Sequence, residues 1–226
     1  MKNKCLWCNK NINNELTLSF ILSFKSYQEQ SLCNECLNLF KAINNDLCCH
    51  ICGRSGTFNS NKCSDCLRWQ KIGDSLINHS FFQYNDVMKD YMQKYKFNGD
   101  YRLRKMFCKY FEQYLNSDMI IIPVPVSDKT FKQRGFNQVE GFLENVEYLN
   151  ALLVNEDKQT QSHLNRKDRI STKQPFKLNH SMKNNIFNKN IIIVDDIYTT
   201  GTTMRHAGKL LIDNGAKTVQ GLTLAR

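Results

Sequence analysis

Four Cys-x-x-Cys pairs lie within the first 66 residues and limit what this part of the chain can fold into. They are CLWC (5–8), CNEC (33–36), CHIC (49–52) and CSDC (63–66). A two-residue spacer lets one tight turn point both sulfur atoms at the same ion, and two such pairs complete a tetrahedral zinc site. The sequence therefore predicts two zinc ions with eight cysteine ligands: Cys5, Cys8, Cys33, Cys36, Cys49, Cys52, Cys63 and Cys66.

The same thiols also allow a disulfide framework, which is typical of secreted proteins. The sequence begins MKNKCLWC without an apolar leader, so we expect a cytoplasmic chain with reduced thiols. We expect the first pair to join the second and the third to join the fourth, although an interleaved arrangement has the same spacing. Four thiolates leave no open coordination position, so the zinc would be structural. We expect a small zinc-ribbon module over residues 1–70, followed by a second domain over residues 71–226.

Strands alternate with helices in the second domain. Apolar runs at MIIIPVP (119–125), IIIVDD (191–196) and TVQGLTLA (218–225) predict buried strands. DVMKDYMQKYKF (86–97) and TTMRHAGKLLIDNG (202–215) carry apolar side chains at helical spacing. This order is typical of an α/β fold with a parallel sheet and flanking helices.

Less regular patterns lie between these elements. FFQYND (81–86) predicts a short strand, whereas YRLRKMFCKYFEQYL (101–115) and FNQVEGFLENVEYL (136–149) predict helices. LTLSFILSF (16–24) predicts a strand pair within the first module and is too short to span a bilayer, which needs about 20 residues. Residues 155–189 are polar with weak periodicity, and we interpret them as a functional lid.

The stretch IIIVDDIYTTGTT (191–203) carries the strongest functional pattern. Asp195 and Asp196 follow a buried strand and so stand at the sheet edge where ligands of open α/β sheets bind. The small residues after them lead into a helix, whose N-terminus favours an anion. A ribose 5-phosphate unit suits both groups: its hydroxyls donate to the carboxylates, and its phosphate takes the turn formed by Thr199, Thr200, Gly201, Thr202 and Thr203.

These residues resemble the phosphoribosyl pyrophosphate (PRPP) motif of type I phosphoribosyltransferases, in which two acids and several small residues follow an apolar run. PVPVSDKTFKQRGFNQ (123–138) resembles the signature of the ComF family, and so do YNDVMKDYMQKYKFNGD (84–100) and QSHLNRKDR (161–169). A preceding cysteine-knuckle module is a further feature of that family. One departure is Thr172, which stands where the lid segment usually has an asparagine.

The resemblance implies a type I phosphoribosyltransferase-like fold, a site for PRPP with Mg²⁺, and a role in natural transformation. In phosphoribosyl transfer, pyrophosphate leaves the anomeric carbon, and catalysis consists of positioning and charge stabilisation. Asp195 and Asp196 would be the catalytic residues, because they would orient the ribose. The Mg²⁺ ion would be held chiefly by substrate oxygens.

Five further residues are candidates for PRPP binding on the same grounds. Val124 and Pro125 would meet the pyrophosphate through backbone groups, and Arg134 would either stabilise its charge or form a structural pair. Gln138 would either position a ligand or begin a helix. Lys96 would either face the pyrophosphate or extend from its helix into solvent.

The net charge of +10 is compatible with a polyanionic partner and equally with a solvated basic surface. Residues 89–110 combine basic side chains with aromatic rings, which is the usual composition of a surface that binds single strands. Several of these rings occupy predicted core positions, so the aromatic part also fits a helix core. The zinc knuckles are a second candidate for nucleic-acid binding. The basic residues are Lys89, Lys94, Lys96, Arg102, Arg104, Lys105 and Lys109.

Three functions fit these patterns. One is a competence-related protein for natural transformation that handles incoming single-stranded DNA and binds PRPP with Mg²⁺. A second is an active phosphoribosyltransferase of unknown acceptor with no direct DNA contact. A third is a scaffold that docks to a DNA-uptake helicase or to other competence proteins. We expect no membrane insertion in any of these cases.

Overall fold

The computed structural model of this chain describes residues 3–12, 30–115, 118–155 and 174–226. Its central sheet has four strands, all parallel, in the order β3-β8-β7-β4. Two short antiparallel pairs, β1-β2 and β5-β6, lie outside this sheet. The strands are β1 Asn3–Lys4, β2 Asn11–Ile12, β3 Asn78–Phe82, β4 Ile120–Pro123, β5 Leu152–Val154, β6 Phe176–Leu178, β7 Asn190–Ile197 and β8 Thr218–Ala225.

Helices cover both faces of the sheet. Within the described ranges they are α1 Asn34–Leu39, α2 Ser64–Lys71, α3 Asp86–Lys96, α4 Cys108–Tyr114, α5 Asp128–Arg134, α6 Gln138–Phe142, α7 Lys183–Ile186 and α8 Thr202–Asp213. Alternate residues of β7 face opposite sides. Ile192 and Val194 pack with α3, α4 and α6, whereas Ile191 and Ile193 pack with α8. The predicted α/β fold with a parallel sheet and flanking helices is confirmed.

The two cysteine groups contact opposite faces of this sheet. Cys5 and Cys36 belong to the same apolar cluster as α3 and α4, whereas Cys49, Cys52 and Cys66 belong to the cluster that contains α8. The chain between the two groups also pairs with the sheet, because segment 41–43 forms an antiparallel bridge to β3 at its free edge. The division into domains at residue 70 stays a prediction.

Three predicted elements differ in extent. The strand expected at 81–86 is β3, which begins at Asn78 and ends at Phe82; Asn78 and Ser80 extend it by their contacts with Thr223 of β8. The helix expected at 101–115 is a 3₁₀ segment, Tyr101–Met106, followed by α4. The helix expected at 136–149 is only α6, since the chain then turns to place the Leu149 N–H on the carbonyl of Ile121 in β4.

Some predictions fall outside the described residues. They are the strand pair at 16–24 and the lid motif at 161–169 with Thr172. Residues 174–189 of the segment interpreted as a lid are described: they contain β6 and α7, and β6 pairs antiparallel with β5. Within the described ranges, every helix is too short or too polar to cross a membrane.

Candidate functional site

The two adjacent carboxylates lie at the carboxyl end of β7, and both are buried, with 9 % of Asp195 and 5 % of Asp196 exposed. By the alternation of β7, Asp196 lies on the α3 face and Asp195 on the α8 face. Burial raises the pKa of the Asp195 carboxyl to about 8, and the charge of Asp196 adds to the rise. The backbone N–H of Asp196 donates to Asp195 Oδ1 at 2.8 Å, which opposes this rise in part.

Helix α3 brings Lys96 to the acid pair. Asn85 caps the helix by accepting from the Met88 N–H, and the apolar face of α3 is buried against the sheet. This packing fixes the rotation of α3 about its own axis, so the side chain of its last residue points to the carboxyl end of β7. Lys96 Nζ lies 2.7 Å from Asp196 Oδ2, and both side chains are largely buried. Of the two sequence-based alternatives for Lys96, extension into solvent is therefore wrong.

The turn between β7 and α8 contains the predicted phosphate-binding residues. Gly201 has a positive φ of 79°, and a Cβ at this position would collide with the hydroxyl of Tyr198. The first turn of α8 leaves backbone N–H groups without partners in the helix. Thr199 and Thr203 are exposed, Thr200 is half-buried and Thr202 is buried. This turn therefore offers backbone donors and hydroxyls close to the acid pair.

The loop after β4 lies beside the same edge. β4 pairs with β7 in parallel, and the Val124 N–H donates to the carbonyl of Val194 at 2.9 Å. Val124 is buried and Pro125 is half-buried. Asn137 caps α6 and also donates through Nδ2 to the Val124 carbonyl at 3.2 Å. The two halves of the PVPVSDKTFKQRGFNQ motif are thus joined directly at the site.

Arg134 and Gln138 form a pair next to Lys96. The Arg134 guanidinium donates to Gln138 Oε1 at 2.8 Å and lies over the ring of Phe97, 5.3 Å from its centroid. Gln138 is buried, and its carbonyl accepts from the Tyr95 hydroxyl at 2.9 Å. Arg134 has a structural partner and is also only half-buried, so both of its predicted roles are compatible with this geometry.

Four residues that contact the site were missed from the sequence. Asn137 lies within the quoted RGFNQ motif, so the motif itself could have indicated it. Tyr198 lies under Gly201 in the turn. Trp69 and Arg226 reach the turn from distant parts of the chain, as described below, and no local pattern marks them.

The cysteine groups have the geometry of two metal centres. Ligand atoms within each tetrad lie within 4.8 Å of one another, and the tetrads combine the first pair with the second and the third with the fourth. The Sγ atoms of Cys8 and Cys33 are 3.8 Å apart, and those of Cys52 and Cys63 are 3.7 Å apart. A zinc–sulfur tetrahedron with bonds of about 2.3 Å has edges of about 3.8 Å. The tetrads therefore fit zinc, and the sequential pairing is confirmed.

The basic segment 89–110 divides into core and surface. Tyr91, Tyr95 and Phe107 are fully buried, whereas 63 % of Phe97 and 41 % of Tyr101 are exposed. The predicted core role of the rings is correct for the first three. The guanidinium of Arg104 lies over the Tyr101 ring at 4.0 Å and pairs with Glu144 at 2.6 Å, while Arg102 is largely exposed.

Comparisons with known proteins agree with this geometry. Residues 102–226 match the family model of the phosphoribosyl transferase domain. The chain is 36% identical to competence protein ComFC of Streptococcus pneumoniae over 99% of this chain and 100% of that protein. It is 29% identical to competence protein ComFC of Bacillus subtilis over 98% and 94% of the two chains.

Two more distant likenesses complete the comparison. Competence protein F of Haemophilus influenzae is 26% identical over 88% of this chain and 91% of that protein. A solved structure of the allosteric regulatory enzyme of purine biosynthesis covers 53% of this chain and 25% of that chain at 20% identity, with a TM-score of 0.34, which is too low to carry an argument. The full-length similarity and the domain match together show that the chain belongs to the ComFC (competence protein F) family, whose phosphoribosyl transferase domain occupies residues 102–226 here.

Proposed function

We propose that this chain is a competence-related protein of natural transformation that handles incoming single-stranded DNA and binds PRPP with Mg²⁺. One observation carries the proposal: a buried acid pair lies beside a helix-terminal turn in a chain that aligns end to end with a competence protein. The acid pair accepts hydroxyl donors, and the turn accepts an anion. A ribose phosphate offers both groups on one molecule.

In the proposed complex, the 5-phosphate takes the backbone N–H groups and hydroxyls of residues 199–203. The ribose hydroxyls donate to Asp195 and Asp196. Asp195 must release its proton to accept two donors, because its pKa is raised in the free chain. We therefore expect PRPP to bind more tightly as the pH rises toward 8.

The pyrophosphate of PRPP would lie toward the loop after β4. The Val124 N–H and carbonyl are already paired with Val194 and Asn137, and Pro125 has no N–H, so backbone donors for the pyrophosphate would come from residues 126 and 127 of this loop. Arg134 and Lys96 would supply positive charge. Mg²⁺ would neutralise the pyrophosphate and would be held chiefly by its oxygens. Lys96 would exchange part of its contact with Asp196 for the pyrophosphate.

The alternative is an active phosphoribosyltransferase without DNA contact. In that reaction, the bond between the anomeric carbon and the pyrophosphate oxygen breaks, and an acceptor atom forms the new bond to carbon. The buried carboxylates favour it, since they would stabilise the positive charge that develops on the ribose. Release of inorganic pyrophosphate in the presence of nucleobases would support this alternative, and its absence together with DNA binding would support the first.

For DNA, we propose the surface formed by Phe97, Tyr101, Arg102 and Arg134, called here the basic-aromatic surface. Its two rings are exposed, and each lies against a guanidinium. Stacking of a base on such a ring is worth about 1–3 kcal/mol. Phe97 directly follows Lys96, which pairs with Asp196, so bound DNA would lie next to the PRPP site.

Calorimetric titration with PRPP and Mg²⁺ tests the ligand proposal. Asp195→Asn and Asp196→Asn should each weaken binding by about tenfold or more, because a buried carboxylate acceptor is lost (~1.4 kcal/mol per tenfold). Asp213→Asn is the matched control, since this exposed acid lies at the far end of α8. Equal affinity in the parent and in both site variants would contradict the proposal.

Fluorescence anisotropy with a labelled oligonucleotide tests the DNA proposal. The double variant Phe97→Ala/Tyr101→Ala should bind single-stranded DNA at least about tenfold more weakly. Tyr114→Ala is the control, because 42 % of this ring is exposed on α4 beside His79, outside the basic-aromatic surface. Affinity should also fall steeply with salt, and salt-independent binding would count against phosphate contact.

A further inference from the structure

The second cysteine tetrad lies directly behind the predicted phosphate-binding turn. Cys49, Cys52, Cys63 and Cys66 are at most 1 % exposed, and they share an apolar cluster with β7 and α8. Tyr198, which lies under Gly201, belongs to the same cluster. The metal centre and the turn are therefore parts of one packed unit.

Arg226 connects this tetrad to the turn. Its Nη1 donates to the carbonyl of Thr199 at 2.6 Å and to that of Tyr198 at 3.3 Å. On the other side, its Nε donates to the sulfur of Cys52 at 3.5 Å, and its Nη2 lies 4.0 Å from the Asp65 carboxylate. Only 10 % of the side chain is exposed. One guanidinium thus bridges a metal-ligand sulfur and two carbonyls of the turn.

Trp69 supplies a second connection. It follows the fourth cysteine of the tetrad on α2, and its indole N–H donates to the carbonyl of Thr200 at 3.0 Å. Arg205 lies over the Trp69 ring at 4.9 Å and donates to the Tyr198 hydroxyl at 3.1 Å. The carbonyls of three successive residues, 198 to 200, therefore accept from side chains that are anchored at the tetrad.

The direction of these carbonyls fixes the direction of the amides. The described residues contain no cis peptide bond, and in a trans unit the N–H points away from the preceding C=O. Since the carbonyls of Tyr198, Thr199 and Thr200 point to the tetrad side, the N–H groups of the next residues point away from it. Those N–H groups are the ones that would bind a phosphate.

We propose that Trp69 and Arg226 are positioning residues, which couple metal binding at the second tetrad to ribose-phosphate binding at the turn. The proposal rests on the proposed function for its ligand. With zinc bound, the tetrad fixes α2 and the Cys52 sulfur, and these in turn hold the turn with its amides directed at the phosphate. By linkage, bound PRPP should then retain the zinc of the second tetrad and leave that of the first unaffected.

The first tetrad provides the matched control. It packs against Phe40 on the opposite face of the sheet. Ser31, close to this tetrad in sequence, donates to the carbonyl of Lys105 and not to the turn. Cys63→Ser empties the second tetrad, and Cys33→Ser empties the first. Each variant should contain one zinc ion by native mass spectrometry.

Amide hydrogen exchange at the two ends of the turn, measured without any ligand, is the first readout. The Tyr198 N–H donates to the carbonyl of Ala225 and the Arg205 N–H to that of Gly201, so both amides are protected while the turn is held in place. We expect Cys63→Ser to accelerate this exchange by about tenfold or more, and Cys33→Ser to leave it at the parent rate. Equal exchange in the parent and in Cys63→Ser, or equal acceleration in both variants, would overturn the proposal. Because this readout needs no PRPP, it tests the proposal even where the proposed function fails.

Two conservative variants keep the test valid if Cys63→Ser does not fold. Trp69→Phe retains the ring over Arg205 and removes only the donor, and Arg226→Lys retains the charge and removes the guanidinium fork. Both should keep two zinc ions while the Kd for PRPP with Mg²⁺ rises by about 5- to 150-fold. An unchanged Kd in both, with normal binding by the parent, would refute the coupling and leave the proposed function intact.

Zinc transfer to a chromogenic chelator is the second readout. In the parent, PRPP with Mg²⁺ should slow the release of one of the two ions, whereas in Trp69→Phe the same ligand should slow it less. A merely structural tryptophan would not alter this ligand dependence. Identical slowing in the two proteins would overturn the proposal.

Discussion

The acid pair and the glycine of the turn show how single residues determine this site. Asp195 and Asp196 could be predicted because a buried apolar run ends in two adjacent acids, which a core strand does not tolerate without a purpose. Gly201 could be predicted as a turn residue, but not that Tyr198 would fill the space beside it. Trp69 and Arg226 could not be predicted, since they contact residues 131 and 27 positions away.

Gly201→Ala should destabilise the protein and weaken PRPP binding. A side chain at φ 79° costs on the order of 1–3 kcal/mol, and the new Cβ also collides with the Tyr198 hydroxyl. Thermal unfolding and calorimetry measure the two effects. Gly99→Ala is the control, because Gly99 also has a positive φ but has open space around it, so it should lose stability without losing PRPP affinity.

Asp195→Asn should change how stability depends on pH. In the parent, folding raises the pKa of Asp195 to about 8, so between pH 4 and 8 the folded chain holds a proton that the unfolded chain has lost. The free energy of unfolding therefore falls as pH rises through this interval, by up to about 1.4 kcal/mol per pH unit. Asparagine keeps the acceptor for the Asp196 N–H and does not ionise.

Urea unfolding of both proteins from pH 5 to 9 measures this difference. We expect the variant to become progressively more stable than the parent as pH rises, and the difference to level off above pH 8. All other groups are the same in the two proteins, so their contribution to the difference cancels. A constant difference across the range would contradict the raised pKa of Asp195.

Elements whose apolar residues repeat regularly were predictable from the sequence, and short elements were not. α3 and α8 follow from apolar residues at helical spacing, and β7 follows from its apolar run. α6 is shorter than its pattern, because Leu149 pairs with the edge of β4 and draws the chain out of the helix. Tertiary contacts of this kind are absent from any local pattern.

Lys96→Met tests the contact between the end of α3 and the end of β7. It leaves the Asp196 carboxylate buried without its cation, which should cost about 3 kcal/mol of unfolding free energy at pH 7. Lys89→Met is the control, since Lys89 is exposed on the same helix and should change stability by less than about 0.5 kcal/mol.

A double-mutant cycle with Asp196→Asn shows whether the two side chains act as a pair. The double variant should recover part of the loss, because no unpaired charge remains buried. Additive losses would mean that Lys96 stabilises the protein by packing alone.

In the whole molecule, the two cysteine tetrads lie on opposite faces of the sheet, and the second of them lies behind the turn. The Cys-x-x-Cys spacing predicted two four-cysteine sites but also allowed interleaved pairing, and only the structure shows that the pairing is sequential. The placement of the tetrads was not predictable, because it depends on the bridge of segment 41–43 to β3 and on the packing of the second tetrad behind the turn. If the proposed coupling holds, the ligand site would depend on the metal module as well as on the phosphoribosyl transferase domain, although only the latter matches the family model.

A crystal structure of the protein with PRPP and Mg²⁺ tests the ligand site most directly. We expect the ribose hydroxyls to lie within hydrogen-bond distance, about 2.5–3.0 Å, of the carboxylates of Asp195 and Asp196. We expect the 5-phosphate to contact the backbone N–H groups of residues 199–203. PRPP bound elsewhere, or bound here with its ribose away from both carboxylates, would contradict the proposed site.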